Sequence, residues 1–297
     1  MTEGHTFAGA TPAFWIGFHV IVAVLLLVDL VFLQRSKSGS VKAAWGWTCV
    51  LAAMAFFFAL FLSQTQGKQP ALEFLSGYLV EGSLSVDNLF VFLLMFRTLR
   101  LDTDQQRRVL LWGVLGAIVM RAIFIAVGTS LLARFAWVEY VFGAFLLYAA
   151  ARLIKHKEEN EEPSGPIRWL QKQSLQNVGG KPAMSAFLLI VLAVELTDLI
   201  FALDSIPAVL AITRNTFVVY TSNIFAILGL RSLYFALSSA LDKLRLLHYG
   251  LALILAFVGI KMLISHWYEV PVTWSLAFIV IVLGIFTVAS RVTAKQA

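Results

Sequence analysis

Five carboxylates stand inside apolar sequence: Glu81 and Asp87 in one stretch, Glu195, Asp198 and Asp204 in another. Asn88, Ser83, Ser85 and Thr197 add neutral oxygens to the same two stretches. An ionisable residue at mid-bilayer costs roughly 2.5–3.5 kcal/mol on insertion scales, so its presence there points to function. A donor set made only of oxygens is hard, and suits Mg2+, Ca2+ or Mn2+ in roughly octahedral geometry. The chain has one cysteine, Cys49, and no pair of histidines within these stretches. That disfavours Zn2+ and Cu+.

Arg121 and Arg231 also fall inside apolar sequence, and two arginines cannot neutralise five carboxylates. The residual charge has to be met by protons, by a bound cation, or by both. Each arginine has two readings. It neutralises one carboxylate and pins two halves of the molecule together, or it occupies the acidic site when metal is absent. Asp29, near the end of the first apolar stretch, is a third supporting charge. Glu73 lies at a stretch edge and reads as solvated. His19 reads as packed or interfacial.

Glu195 and Asp198 are three residues apart and share a helix face. Asp204 is six beyond Asp198, about 240° round at ~100° per residue, and points elsewhere on an ideal helix. Pro207 is expected to loosen the helix by removing an N–H and clashing with the carbonyl of Leu203. Gly77 and Gly82 are candidates for the same role around Glu81, since broken helices in membranes line cavities and free carbonyls for cations.

These residues need apolar elements to hold them. Of 297 residues, 60% are hydrophobic and 13% charged, and the mean hydropathy is +0.83. Ordinary globular domains are about half apolar and a quarter charged. The composition excludes a soluble enzyme and a disordered chain. A spanning helix needs roughly 20 mostly apolar residues. Nine stretches qualify, near 13–33, 43–63, 71–96, 109–133, 136–154, 183–212, 217–240, 247–266 and 272–290. The fold class is therefore all-α, a polytopic membrane protein of about nine transmembrane helices. Residues before the first span lack a basic region and a small-residue cleavage pattern, so no cleaved signal peptide is expected.

The net charge of +6 is a topology signal rather than a nucleic-acid surface. With nine spans, 17 of the 23 Lys and Arg residues fall in loops or span ends on one side and four on the other. Basic loops are cytoplasmic. This places the N-terminus outside and the C-terminus inside, as expected for a bacterial inner-membrane protein. Trp45, Trp47, Trp137, Trp267 and Trp274 lie near span ends, where amphipathic rings favour the interface. The longest connection begins as a charged tether. It continues with Ile167, Leu170, Leu175 and Val178 at near-helical spacing, either a short helix on the membrane surface or a plain loop.

Two segments repeat. VDNLFVF around Asp87 matches TDLIFAL around Asp198; Arg121 follows 34 residues after the first aspartate and Arg231 33 after the second. Glycine-containing spans follow each, at Gly143 and Gly250. Three spans per repeat invert the second copy relative to the first, which gives two inverted three-helix repeats with a site near the midplane. The chain divides into two N-terminal spans over 1–70 and a first repeat over 71–155. A cytoplasmic linker over 156–182 leads to a second repeat over 183–266, then a final span and tail over 267–297.

The segment EGSLSVDNLFVF at Glu81–Phe92 resembles the first signature of the TerC family of integral membrane proteins, and ELTDLIFALDSIP at Glu195–Pro207 resembles its second. The resemblance implies a fold similar to that of lysine-exporter-like transporters. It implies Glu81, Asp87, Asn88, Glu195, Asp198 and Asp204 as the metal site, and manganese export, with which several members are associated. The direction of transport rests on the resemblance alone.

The expected function is secondary export of a divalent cation, Mn2+ first, with proton exchange as the candidate driving reaction. Tellurite is an anion and a carboxylate cluster repels it. The alternative is a non-transporting membrane scaffold of a metal or tellurium stress-response complex. No HExxH, GxSxG or GxxxxGK[ST] run is present, so neither an intramembrane enzyme nor a nucleotide-driven pump is expected. No cofactor is expected. The partners are the divalent ion and the lipid bilayer, without nucleic acid, and a homo-oligomer is compatible with the sequence.

Overall fold

The computed structural model describes residues 11–35, 41–99, 101–135, 137–155, 183–237, 246–268 and 270–293. The connection at 156–182, with its candidate surface helix, lies outside them. The described residues form nine helices and no strand. They are α1 (Pro12–Arg35), α2 (Val41–Thr65), α3 (Lys68–Thr98), α4 (Thr103–Arg134), α5 (Trp137–Lys155), α6 (Ala183–Leu210), α7 (Thr216–Leu237), α8 (Leu247–Ile264) and α9 (Val272–Thr293). Each expected span coincides with one helix. Helices α1, α2, α4, α7 and α9 are long and apolar enough to cross a membrane, and α5 and α8 carry shorter apolar stretches.

The outer surface is itself apolar. On α4, Trp112, Leu115, Val119, Ile123 and Val127 are exposed at intervals of three or four residues. The opposite stripe, Gly113, Ala117, Arg121, Ile125, Gly128 and Leu132, is buried. A protein of this size in water does not leave such continuous apolar faces open. In hydrocarbon they are the solvated side, and the polar residues belong inside.

Helix α7 is the centre, buried almost all round. It packs against α2, α3 and α4, and also takes α1, whose buried stripe is Phe18, Val22, Leu25 and Asp29. Helix α5 lies along α8, α4 along α6, and α3 against α6. Helix α9 covers α3 and α8.

Neither proline nor glycine breaks the long helices. Pro207 lies inside α6, which runs on to Leu210, and the amide of Ala211 still donates to the Pro207 carbonyl at 3.0 Å. Helix α3 passes Gly77 and Gly82 without interruption. Pro207 has no N–H, so the Leu203 carbonyl loses its helical donor, but the helix continues on either side, since hydrocarbon offers no substitute partner for the remaining backbone groups. Gly77 serves packing instead: a Cβ there would come 2.7 Å from Ser222 Oγ on α7. Gly143 on α5 and Gly259 on α8 bring two backbones together, each facing the other's carbonyl oxygen. Gly250, the glycine that sequence comparison matches to Gly143, faces Phe286 on α9.

A side chain at Gly259 would meet the Gly143 carbonyl oxygen at 2.9 Å, and backbone cannot swing aside. Gly259→Val is expected to destabilise the α5–α8 contact by about 1–3 kcal/mol, read as a lower thermal unfolding midpoint in detergent. Gly284→Ala on α9, where nothing lies within 4 Å, is expected to leave the midpoint unchanged or raise it.

Candidate cation site

Three helices deliver charges to one buried point: Glu81 from α3, Arg121 from α4 and Asp198 from α6. Each stands well inside its helix, at least ~18 Å from either end at 1.5 Å per residue. Arg121 and Glu81 are 0% exposed and Asp198 is 6% exposed. On α3 and α6 this point is a seam between two apolar clusters. Val80 and Ala202 belong to one, Val86 and Val194 to the other.

The guanidinium of Arg121 organises the seam. Its Nη1 donates to Glu81 Oε1, to Asn223 Oδ1 at 2.8 Å and to Ser205 Oγ at 3.4 Å. Its Nη2 donates to Asp198 Oδ1, also at 3.4 Å. Ser205 is seven residues beyond Asp198, two turns along the same face of α6. Asn223 donates from Nδ2 to the Val219 carbonyl at 3.0 Å, which turns Oδ1 toward the arginine. Asn88 donates to Asp198 Oδ1 at 3.5 Å, and Ser85 to Glu81 Oε1 at 3.5 Å. Among the described residues, Glu81 Oε2, Asn88 Oδ1 and Arg121 Nε are buried without a partner.

Of the six expected site residues, the structure brings Glu81, Asn88 and Asp198 together around Arg121. Glu195 stands one turn before Asp198, half-buried, with no hydrogen-bond or ion-pair partner among the described residues. Its carboxylate rests on Gly116 of α4, where a Cβ would overlap it. The backbones of Asp87 and Asp204 lie in α3 and α6, and their side chains are outside the description. Among the described residues no three His, Cys, Asp or Glu side chains converge to hold a metal by themselves. The oxygens that do converge include amides and hydroxyls. Two of them, Glu81 Oε2 and Asn88 Oδ1, lack a donor, and a hard divalent cation takes oxygens of this kind.

Asn223 and Ser205 are members that sequence reasoning missed. The one signal for Asn223 is a run of three polar residues, Thr221, Ser222 and Asn223, inside an apolar span; Ser205 lies within the ELTDLIFALDSIP segment. Glu73 is not simply solvated: it accepts from Thr213 Oγ1 and from Gln69 Nε2. His19 is packed against Trp15 and Tyr220 and is hydrogen-bonded to the Tyr220 hydroxyl at 3.1 Å.

The second arginine behaves differently. Arg231 on α7 donates to Asp29 Oδ2 on α1 at 2.7 Å, and Trp47 Nε1 on α2 donates to Asp29 Oδ1 at 2.7 Å. Both oxygens of Asp29 are therefore engaged at short range. Arg121 joins the two candidate repeats, whereas Arg231 ties the two N-terminal helices to the central one. The two are not equivalent, because α1 supplies a carboxylate that the first repeat has no counterpart for.

Comparison with known proteins adds to this geometry. A family model described as integral membrane protein TerC family matches residues 66–297. The chain is 42% identical to the "Putative membrane-bound redox modulator Alx" of Salmonella typhi, covering 94% of this chain and 92% of the relative. It is 40% identical to the "Uncharacterized membrane protein STKORF319" of Myxococcus xanthus, covering 97% and 94%. It is also 40% identical to the protein named as in Salmonella typhi from Escherichia coli (strain K12), covering 96% and 95%. No solved structure matches.

Removing one partner of a buried pair strands the other charge, at a cost of about 3–5 kcal/mol. Asp29→Ala is therefore expected to lower the thermal midpoint sharply, and the double variant Asp29→Ala with Arg231→Met to recover much of the loss. An unchanged midpoint for Asp29→Ala contradicts the structural role given to this pair.

Proposed function

The chain belongs to the TerC family of integral membrane proteins, and from that premise we propose that it is a secondary transporter exporting a divalent cation, Mn2+ first among the candidates. The observation that carries this reading is the meeting of Glu81, Asp198 and Asn88 at one buried point, with acceptor oxygens left unmet. A hard cation stripped of water needs such oxygens. Asp87, Glu195 and Asp204 are proposed as further members of the acidic site on the family signatures, Glu195 also because its carboxylate, beside Asp198, has no partner among the described residues.

The proposed architecture is nine spans, with α3–α5 and α6–α8 as inverted repeats. The helix pairings support it. Exchanging α3 with α6, α4 with α7 and α5 with α8 maps the principal pairings within this set, α5 with α8, α3 with α7, α4 with α6, α3 with α6 and α4 with α7, onto themselves. The site then lies between the repeats, and alternating access rocks one against the other. Protons compete with metal for the same carboxylate oxygens, which makes proton exchange the proposed coupling. The distribution of Lys and Arg supports a bacterial inner-membrane location with the N-terminus outside and the C-terminus in the cytoplasm.

The relatives' printed name describes redox modulation. One cysteine cannot form an intramolecular dithiol couple, so in this chain a redox effect is proposed to follow from metal content. A second reading, a non-transporting scaffold, is favoured by one observation: the Arg121 guanidinium itself pairs with both Glu81 and Asp198.

The test is cell manganese in a bacterium lacking its own manganese exporters. The wild-type chain is expected to lower it. Asp198→Asn and Glu81→Gln, at matched membrane levels, are expected to cut export at least about tenfold, the lower range of losses when a metal site is disturbed. Movement of other divalent ions but not manganese keeps the site and changes its ion. If no ion moves, the scaffold reading stands instead.

A further inference from the structure

We propose that Arg121 is a tethered counter-ion: its guanidinium takes the cargo's place at Glu81 and Asp198, and lets the unloaded carrier change face. The inference rests on the transport reading above and adds how the empty site crosses the membrane.

Charge arithmetic motivates it. Glu81 and Asp198 carry two negative charges at a point shielded from solvent. Without a cation they could not move through a closed, dehydrated intermediate, because uncompensated buried charge is costly. Arg121 supplies one positive charge there, attached to α4. A divalent ion needs the same oxygens, Glu81 Oε1 and Asp198 Oδ1, that the guanidinium holds. Guanidinium and metal therefore exclude one another.

The contacts are those of a displaceable occupant. In the Asp29–Arg231–Trp47 cluster both carboxylate oxygens are met at 2.7 Å. At Arg121 the bonds to Glu81 and Asn223 are short, but those to Asp198 and Ser205 are 3.4 Å long, beyond the usual N–H···O range. Glu81 keeps one oxygen without a donor, whereas Asp29 keeps none.

The displaced side chain also has a destination. Glu195 has no partner among the described residues, stands one turn from Asp198, and lies on the surface of α4 at Gly116. Gly116 is N-terminal to Arg121 on that helix, the direction in which helical side chains lean. As metal enters, the guanidinium gives up Glu81 and its long bond to Asp198 and turns toward Glu195.

Purified protein in detergent and in lipid vesicles tests this, with Mn2+ as the probe. Removing the internal competitor should tighten binding. If Arg121 leaves the site open a tenth of the time, Arg121→Gln binds Mn2+ about tenfold more tightly, read from the paramagnetic signal of free Mn2+. In vesicles, Arg121→Gln should keep exchange of internal for external Mn2+ and lose net flux into metal-free buffer about tenfold or more, because the emptied site no longer crosses. Arg121→Lys keeps the charge and should keep net flux. It lacks the planar fork that reaches several acceptors at once, so it should also bind Mn2+ more tightly than wild type. If Arg121→Gln is not monodisperse, the lysine variant's affinity decides. Unchanged or weaker Mn2+ binding in a monodisperse variant overturns the proposal, as does joint loss of exchange and net flux. Intact net flux in Arg121→Gln overturns it and leaves the transport reading standing. Wild-type vesicles that move no Mn2+ in either mode overturn both.

Discussion

A guanidinium at 0% exposure in the middle of a helical bundle has to find its acceptors within the protein. Arg121 meets that demand by drawing on α3, α6 and α7 at once, through Glu81, Asp198, Ser205 and Asn223. Hydrocarbon would leave the same charge unpaid by any partner, so these four helices are held in one relative arrangement. The seam between the two apolar clusters follows from it, since the ion network occupies the place where their side chains would otherwise join.

The molecule uses buried arginine in two ways. Arg231 closes on a carboxylate that has no vacant oxygen and fixes α1 and α2 to the core. Arg121 sits among more acceptors than it fills. Breaking either pair by removing one partner is costly, about 3–5 kcal/mol, but the second arrangement can trade one cation for another at a smaller difference. A transport site needs this property, because an occupant held too tightly cannot leave.

Much of the fold was legible in the sequence because a bilayer sets the length of its spans. The charges were legible because they are rare in such spans, and Glu81, Asn88 and Asp198 come together around Arg121. Partner choice was not. Asp29 and Arg231 are 202 residues apart and carry no local mark of each other. Asn223 and Ser205 were hidden because neutral polar residues cost little in a helix and do not stand out. Pro207, Gly77 and Gly82 do not interrupt their helices, because in an apolar medium the backbone keeps every bond it can form, and Gly77 is used for close approach.

The central claim is that Glu81 and Asp198 hold either the Arg121 guanidinium or a hard divalent cation. An experimental structure of the protein with Mn2+, recorded at a wavelength where manganese scatters anomalously, tests it most directly. The account predicts a manganese peak bounded by Glu81, Asn88 and Asp198, with the Arg121 side chain withdrawn from Glu81. Manganese bound elsewhere, with Arg121 still bridging Glu81 and Asp198, would contradict it.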